Sequence, residues 1–253
     1  MSGSSHEVAV RNGLTSYFWS DEVLRARNVS DVVLTNKLCI PEPPVWLCAD
    51  WIRETTTRLD LAAGDVEPIT LSRARARWPG YRTCLHSVLN WMQILGLSHA
   101  YSCGDIALMA CRGARYHHDG TQYGSKAFCN LFLSEDQGLD LHFPHTGHRI
   151  PLERGTVVLF DTAQPHGVVR RGSSRFDVTD FTTVQEELQV FLSWELSIED
   201  ADLCRVLGVC IDDMSPSVHA PQDEQVWNNA ALAAVCPESG QWLRIDGAVQ
   251  EAS

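Results

Sequence analysis

The feature that most constrains the fold is a run of six short β-prone segments between residues 104 and 198. The segments are DIALMAC, KAFCNLFLS, LDLHFP, TVVLFD, HGVVR and LQVFLSWELS, and glycines stand in the intervals between them. Short strands at such regular spacing, with no helical pattern between them, are typical of an antiparallel sandwich or barrel and not of a βαβ sheet. We therefore expect a mainly β fold with flanking helices.

The chain on either side of this run has a different pattern. In YRTCLHSVLNWMQILGL, residues 81–97, the apolar side chains recur at helical spacing and predict an amphipathic helix. After residue 198, DADLCRVLGVC and NNAALAAVC are typical of helical or irregular structure. The sequence thus predicts a single domain in three parts: a helical N-terminal part over 1–100, a β core over 101–198, and a helical or irregular C-terminal appendage over 199–253.

Charge and composition narrow the classes of partner. The net charge is −12, from 32 acidic and 20 basic residues, whereas nucleic-acid binders usually present a basic face to the phosphates. No apolar run approaches the roughly 20 residues that cross a bilayer, and the first residues lack a secretory pattern. The nine cysteines form no CxxC pair, which indicates buried thiols in a reducing compartment. We expect a cytoplasmic protein that binds neither nucleic acid nor membrane.

The chemistry is concentrated in ARYHHDGTQYG, residues 114–124. His117 and Asp119 are two positions apart, so on a strand both side chains leave the same face. A third ligand is available in His166, which begins the HGVVR segment after a proline turn. Two imidazoles and one carboxylate form the facial triad that holds Fe(II) in non-haem oxygenases and leaves coordination positions open. The sequence therefore predicts a metal site at His117, Asp119 and His166.

Several motifs in this order strengthen the prediction. HHD, AFCNLFLSEDQGLDLHFP and HRIPLERGTVVLFDTAQPHGV together resemble the double-stranded β-helix core, a jelly-roll, cupin-like fold, of the Fe(II)/2-oxoglutarate-dependent dioxygenases. The likeness is to the prolyl-hydroxylase-like and small-molecule hydroxylase branches, and it covers roughly residues 104–198. The resemblance implies Fe(II), 2-oxoglutarate as cosubstrate, and O₂. It also implies hydroxylation of an unactivated C–H bond, with succinate and CO₂ as coproducts.

The resemblance also implies residues that bind the cosubstrate. In the family a basic side chain binds the far carboxylate of 2-oxoglutarate, a role that suits the planar guanidinium of arginine. Arg175 stands at the family's spacing from the second histidine, and Arg170 is its rival because it lies on the strand that His166 opens. The chain departs from the family pattern here, because FDVTDFTTVQEE precedes the last strand. Asn130 has two possible roles: it contacts 2-oxoglutarate, or it is part of the core.

Other histidines near the motif have alternative interpretations. If His118 and not His117 were the metal ligand, no carboxylate would stand two positions later in the motif. This alternative, the His118 frame, would leave room for chloride at the metal, as in related halogenases. Asp119 is available, which favours the hydroxylase frame and gives His118 a structural hydrogen bond on the opposite face. His142, His145 and His148 lie in LHFPHTGH, where we expect solvent-facing side chains on a hairpin and not a second metal site.

The predicted activity is hydroxylation of a small molecule such as an amino acid or a natural product. A protein side chain is an alternative substrate. The alternative from another class is a non-catalytic or differently metallated cupin-like protein that binds or senses a ligand and needs no carboxylate clamp. We expect substrate selection by the N-terminal part, the loop 120–127 and the insertion 176–187. The substrate and the oligomeric state stay open.

Overall fold

The computed structural model describes residues 13–182, 187–214, 223–229 and 231–244. Its strands are β1 (Leu14–Ser20), β2 (Val23–Asn28), β3 (Val33–Lys37), β4 (Val66–Ile69), β5 (Asp105–Cys111), β6 (Ala114–His117), β7 (Lys126–Phe132), β8 (Leu139–Phe143), β9 (His148–Pro151), β10 (Thr156–Asp161), β11 (His166–Arg170), β12 (Gln189–Ser197), β13 (Ile211–Asp213), β14 (Gln225–Asn228), β15 (Ala231–Val235) and β16 (Trp242–Arg244). Its helices are α1 (Val45–Arg53), α2 (Leu71–Arg77), α3 (Gly80–Ile94), α4 (Ser98–Ser102) and α5 (Ala201–Leu207). A π-helical turn, Glu54–Arg58, extends α1, and Val178–Asp180 is a 3₁₀ turn.

Two antiparallel sheets form the core. The larger has the order β3-β10-β7-β12-β5-β4, and the smaller has the order β6-β11-β8-β9. From β5 to β12 the chain passes back and forth between these sheets, except at the β8–β9 hairpin, which stays in the smaller one. This strand order is that of a double-stranded β-helix, so the predicted jelly-roll core is confirmed by the topology itself.

All six segments predicted as strands are strands in the structure. They are β5, β7, β8, β10, β11 and β12. The alternation of their side chains fixes the two faces of the larger sheet: Val190, Leu192 and Trp194 belong to the core beneath the helices, and Phe191 belongs to the core inside the barrel. The predicted helix is also present as α3, with Cys84, Val88 and Met92 fully buried against the first of these cores.

The N-terminal part differs from the expectation of a helical segment. It contains four helices, but also β1 to β4, of which β3 and β4 are the two edge strands of the larger sheet. The expectation of a helical or irregular C-terminal part also differs, because that part contributes one helix and β13 to β16. Ala231–Val235 is a strand although alanine favours helix, because pairing with β14 and β16 on either side overrides local propensity. The predicted boundaries near residues 100 and 198 stay a prediction.

The third sheet joins the two ends of the described chain. Its order is β13-β2-β1-β14-β15-β16, so that β1 lies between its sequence neighbour β2 and the late strand β14. Within the described residues, no helix is both long enough and apolar enough to span a membrane. All nine cysteines are free thiols.

Candidate metal centre

The two predicted histidine ligands face each other across neighbouring strands. His117 ends β6 and His166 begins β11, and the register pairs these residues directly. Directly opposed residues of an antiparallel pair project from the same face. The imidazole centroids lie 4.5 Å apart. Phe160, which belongs to the core inside the barrel, lies with its ring centroid 4.8 Å from that of His166. Both imidazoles therefore lie on the face of the smaller sheet that is turned toward the barrel interior.

Asp119 reaches the same point by a route that differs from the sequence argument. The strand stops at His117, and Asp119 lies in the turn that follows. Its amide donates to the Thr162 carbonyl at 2.8 Å, and its own carbonyl accepts from Tyr123 N at 2.7 Å. Asp119 Oδ1 then lies 3.5 Å from His117 Nε2, and Oδ2 lies 3.5 Å from His166 Nε2. A backbone turn, and not strand alternation, positions the carboxylate.

Backbone carbonyls fix the orientation of both imidazoles. His117 Nδ1 lies 2.7 Å from the Arg115 carbonyl oxygen, and His166 Nδ1 lies 2.9 Å from that of Gln164. A carbonyl only accepts, so Nδ1 carries the hydrogen in each ring and the Nε2 lone pair is free to bind a metal. One ligand atom from each of the three side chains lies within 4.8 Å of the others. The group could hold a single metal ion.

The electrostatics of the group suit a divalent cation. Burial, with a contribution from His117, lowers the pKa of His166 to about 3, so its ring is neutral near pH 7. Burial raises the pKa of Asp119, while His117 opposes this shift. Two imidazoles and one carboxylate are the donor set of the facial triad. A bound cation would compensate the charge of the partly buried carboxylate.

A buried ion pair that the sequence did not reveal supports this centre. Arg27 and Asp161 are both fully buried, and two guanidinium nitrogens of Arg27 bind the carboxylate at 2.6 and 2.8 Å. Asp161 also accepts from the amides of Ser30 and Ala163. The next residue, Thr162, is the one that accepts from Asp119 N. Arg27 thus anchors the turn between β10 and β11 that carries part of the site.

His118 has the separate position expected of it. Its ring centroid lies 5.5 Å from that of Trp242 on β16, and it hydrogen-bonds the backbone of Ala233 on β15. Burial lowers the pKa of His118. The His118 side chain is not among the three that converge on the metal position. The structure therefore does not place His118 as a ligand beside His166.

The histidines of LHFPHTGH do not all face solvent as expected. His142 is 7% exposed, and its Nδ1 lies 2.5 Å from the Tyr116 hydroxyl. Burial, with a contribution from Arg149, lowers the pKa of His142 to about 4. The C-terminal segment covers this face, since Tyr116 N donates to the Pro237 carbonyl. His148 is exposed, as predicted.

The structure engages both candidate arginines in ion pairs. Arg175 is exposed and pairs with Glu238 at 2.8 Å, outside the barrel. Arg170 faces the barrel from β11, but its guanidinium binds Glu187 at 2.5 Å and donates to the carbonyls of Asp180 and Gln137. Neither guanidinium is available to a carboxylate ligand in this arrangement.

Asn130 is buried inside the barrel without a polar partner. It lies on β7 directly opposite Ser193 of β12, and both residues are 7% exposed. Within the described part of the chain, Asn130 Oδ1 has no hydrogen-bond partner. A buried amide left unpaired costs about 1–3 kcal/mol, so this side chain has hydrogen-bonding capacity left for a polar ligand. A carboxylate only accepts hydrogen bonds, so it would bind Nδ2 of the amide and not Oδ1. The contact of Asn130 with a cosubstrate stays a prediction.

Among known proteins, the chain is similar only to solved structures, and only weakly. No protein-family model matches the chain, and no curated protein matches it. Among solved structures, a Pseudomonas putida prolyl-4-hydroxylase is 14% identical with a TM-score of 0.38, over 65% of this chain and 92% of that one. A collagen prolyl hydroxylase from Paramecium bursaria Chlorella virus-1 is 9% identical with a TM-score of 0.38, over 65% and 88%. EvdO2 from Micromonospora carbonacea is 11% identical with a TM-score of 0.39, over 74% and 90%. These values are too low to carry an inference, and the fold assignment rests on the strand order of the chain itself.

Proposed function

We propose that the protein is an Fe(II)/2-oxoglutarate-dependent dioxygenase of the cytoplasm that hydroxylates a C–H bond of a small molecule. The observation that carries the proposal is the convergence of His117, Asp119 and His166, with both Nε2 atoms turned toward the carboxylate. Bound at this centre, Fe(II) and 2-oxoglutarate would supply the chemistry by which O₂ oxidises the substrate C–H bond. Succinate and CO₂ would be the coproducts. The protein supplies the ligands, the orientation of the substrate and the exclusion of water.

The side chains around the triad suit this task. The ring centroids of Phe160 and Phe143 lie 4.8 and 6.0 Å from that of His166, and Phe128 packs edge-on against Phe160. These three rings form an apolar wall on one side of the centre. We expect this wall to limit the access of bulk water, which would compete with the reacting C–H bond. Tyr123, whose ring packs on Phe128, lies in the loop where we expect substrate contacts.

The test measures metal content and succinate formation by purified protein with Fe(II), 2-oxoglutarate and O₂. Wild type should bind one metal ion per chain and form succinate even when no primary substrate is added. Asp119→Ala removes one of the three proposed metal ligands and should lower the affinity for the metal by more than about tenfold. Asp202→Ala, an exposed carboxylate on α5, is the matched control and should change neither quantity. Metal binding and succinate formation that survive in Asp119→Ala would refute the triad.

A second function is favoured by one observation, the engagement of Arg170 and Arg175 in ion pairs. A cupin-like binding or sensor protein keeps the metal group and needs no free guanidinium. It predicts one bound metal ion per chain, no binding of 2-oxoglutarate and no succinate under any condition. Halogenation through the His118 frame is tested by the same variant: Asp119→Ala would then retain chloride-dependent turnover.

A further inference from the structure

The strands of the barrel place their inward side chains in successive layers below the metal position. In antiparallel pairs opposite residues share a face, and a strand advances about 7 Å for every two residues. The first layer contains Phe160, Phe128 and Glu195, which oppose one another across β10, β7 and β12. The ring of Phe160 contacts that of His166, so this layer lies at the level of the metal group.

The second layer lies two residues deeper and is polar. It contains Asn130 and Ser193, with Val158 on the other side of Asn130. A five-carbon 2-oxo acid that chelates a metal through its keto and carboxylate oxygens reaches about 6–7 Å from the ion, given metal–oxygen distances of about 2 Å. Its distal end would therefore lie beside Asn130, whose side-chain amide makes no hydrogen bond through Oδ1 within the described residues and can donate through Nδ2 to an oxygen of the ligand.

The third layer closes the pocket. Phe132 and Phe191 oppose each other, and their ring centroids lie 5.1 Å apart. Beside β5, Ala107 and Met109 face the barrel opposite Ser193 and Phe191 and are only half-buried. The second layer thus has an aromatic floor and partly exposed neighbours on the β5 side.

No basic side chain of the barrel strands lies at the second layer. The basic residues on the strands of the two barrel sheets are Lys37, Arg115, Lys126, Arg149 and Arg170. The first, second and fourth of these pair with Glu153, Asp65 and Asp140, respectively.

The two remaining basic residues lie above and below the second layer. Lys126 precedes Phe128 by two residues, so it lies at the rim, above the metal layer. Arg170 follows His166 by four residues, about 13 Å along the strand. It therefore lies at the level of the floor, and Glu187 binds its guanidinium. None of the five basic residues on the barrel strands therefore lies at the level of a ligand end in the second layer.

On the basis of the proposed function, we propose that Asn130 and Ser193 hold the distal end of the 2-oxo acid. Their carboxamide and hydroxyl groups donate and accept hydrogen bonds but carry no charge. The site therefore accepts 2-oxo acids whose distal end is uncharged about as well as it accepts 2-oxoglutarate. Glu195 and Asp105, which oppose each other on β12 and β5 near the rim, add negative charge and no attraction for a distal carboxylate.

The test measures the binding of 2-oxo acids to the Fe(II)-loaded protein without O₂, by isothermal titration calorimetry. 2-Oxoglutarate is compared with 2-oxopentanoate, which has the same chain length and a methyl group in place of the distal carboxylate. We expect dissociation constants within about tenfold of each other, because only neutral hydrogen bonds distinguish the two ligands. A preference for 2-oxoglutarate above tenfold would overturn the proposal.

Two variants locate the contact. Asn130→Leu approximately keeps the side-chain volume. It should raise the dissociation constant of 2-oxoglutarate by about tenfold or more, and that of 2-oxopentanoate by less than about threefold. Ser193→Ala, a smaller change, should act in the same direction, so the proposal stays testable if the leucine variant does not fold. The double variant Arg170→Gln with Glu187→Gln is the control, because it removes the guanidinium without leaving the buried Glu187 carboxylate unpaired. It should alter neither ligand, whereas loss of 2-oxoglutarate binding in it would assign the contact to the arginine and refute the proposal. If no 2-oxo acid binds to metal-loaded protein, the proposed function itself fails.

Discussion

Replacement of Arg27 by methionine tests how the centre is supported. Arg27→Met keeps the length of the side chain but leaves Asp161 as a buried carboxylate without its cation. Both residues of this pair are fully buried, and Arg27 also donates to the carbonyl of Gly124. Removal of one partner from a buried pair costs about 3–5 kcal/mol, because the remaining charge has lost both its partner and its solvent.

The assay is urea denaturation of metal-free protein at constant pH, with the free energy of unfolding taken from the linear extrapolation. We expect a loss of about 3–5 kcal/mol, which for a chain of this size corresponds to a fall in Tm of about 6–20 °C. Arg205→Met is the matched control. Arg205 pairs with Asp202 on the surface, with side-chain exposures of 65% and 54%, and such exposed pairs contribute less than about 1 kcal/mol.

The same variant should weaken metal binding, because Asp161 fixes the backbone on which Thr162 accepts the hydrogen bond from Asp119 N. Loss of such outer support typically costs about 10- to 100-fold in metal affinity. The reasoning is refuted if Arg27→Met loses no more stability than Arg205→Met. The positioning argument alone is refuted if the variant is destabilised but binds metal with unchanged affinity.

Three further predictions concern the rest of the fold. The pKa of His142 is about 4 in the folded protein and about 6.5 in the unfolded chain. Below pH 6.5 the unfolded chain therefore binds one more proton, and the free energy of unfolding decreases as the pH is lowered. Between pH 7 and pH 5 this loss is about 2 kcal/mol, and urea denaturation of His142→Gln should lack it. Tyr116→Phe leaves the buried His142 Nδ1 unpaired and should cost about 1–3 kcal/mol; an unchanged urea midpoint would contradict this. Gly155 has φ +88°, and a Cβ there would lie 2.1 Å from the Leu38 carbonyl oxygen. Gly155→Ala should therefore destabilise the protein by at least about 1 kcal/mol more than Gly138→Ala, whose φ is +70° in open space; equal thermal midpoints would exclude the clash.

The sequence predicted the parts of the fold whose evidence is local. β5, β7 and β12 are long enough to show alternation, and α3 shows its apolar stripe over four turns. β6 and β9 have four residues each, too few for a pattern to stand out. β1 and β2 pair with strands from the other end of the described chain, and no local signal specifies such partners.

The candidate site shows the same division between local and long-range information. His166 could be predicted because it begins the recognisable strand segment HGVVR, and His117 could be predicted from its spacing to Asp119 in HHD. The position of Asp119 depends on a hydrogen bond to Thr162, and alternation along a strand was the wrong reason for a correct grouping. Arg27 lies 134 residues from Asp161, so nothing near either residue indicates the pair. Tyr116, which hydrogen-bonds His142, is likewise contacted by Pro237 and Gly240 from the far end of the described chain.

The shared sheet of β1, β2 and β13–β16 sets an order of events during synthesis. At about 5–20 residues per second, the ribosome delivers β14 roughly 10–40 seconds after β1, and until then one edge of β1 has no neighbour. Glu224, which accepts from Gly124 N, and Pro237, which accepts from Tyr116 N, emerge in the same late interval. The nascent chain therefore contains His117, Asp119 and His166 before it contains the late residues that hydrogen-bond the segments on either side of His117 and Asp119.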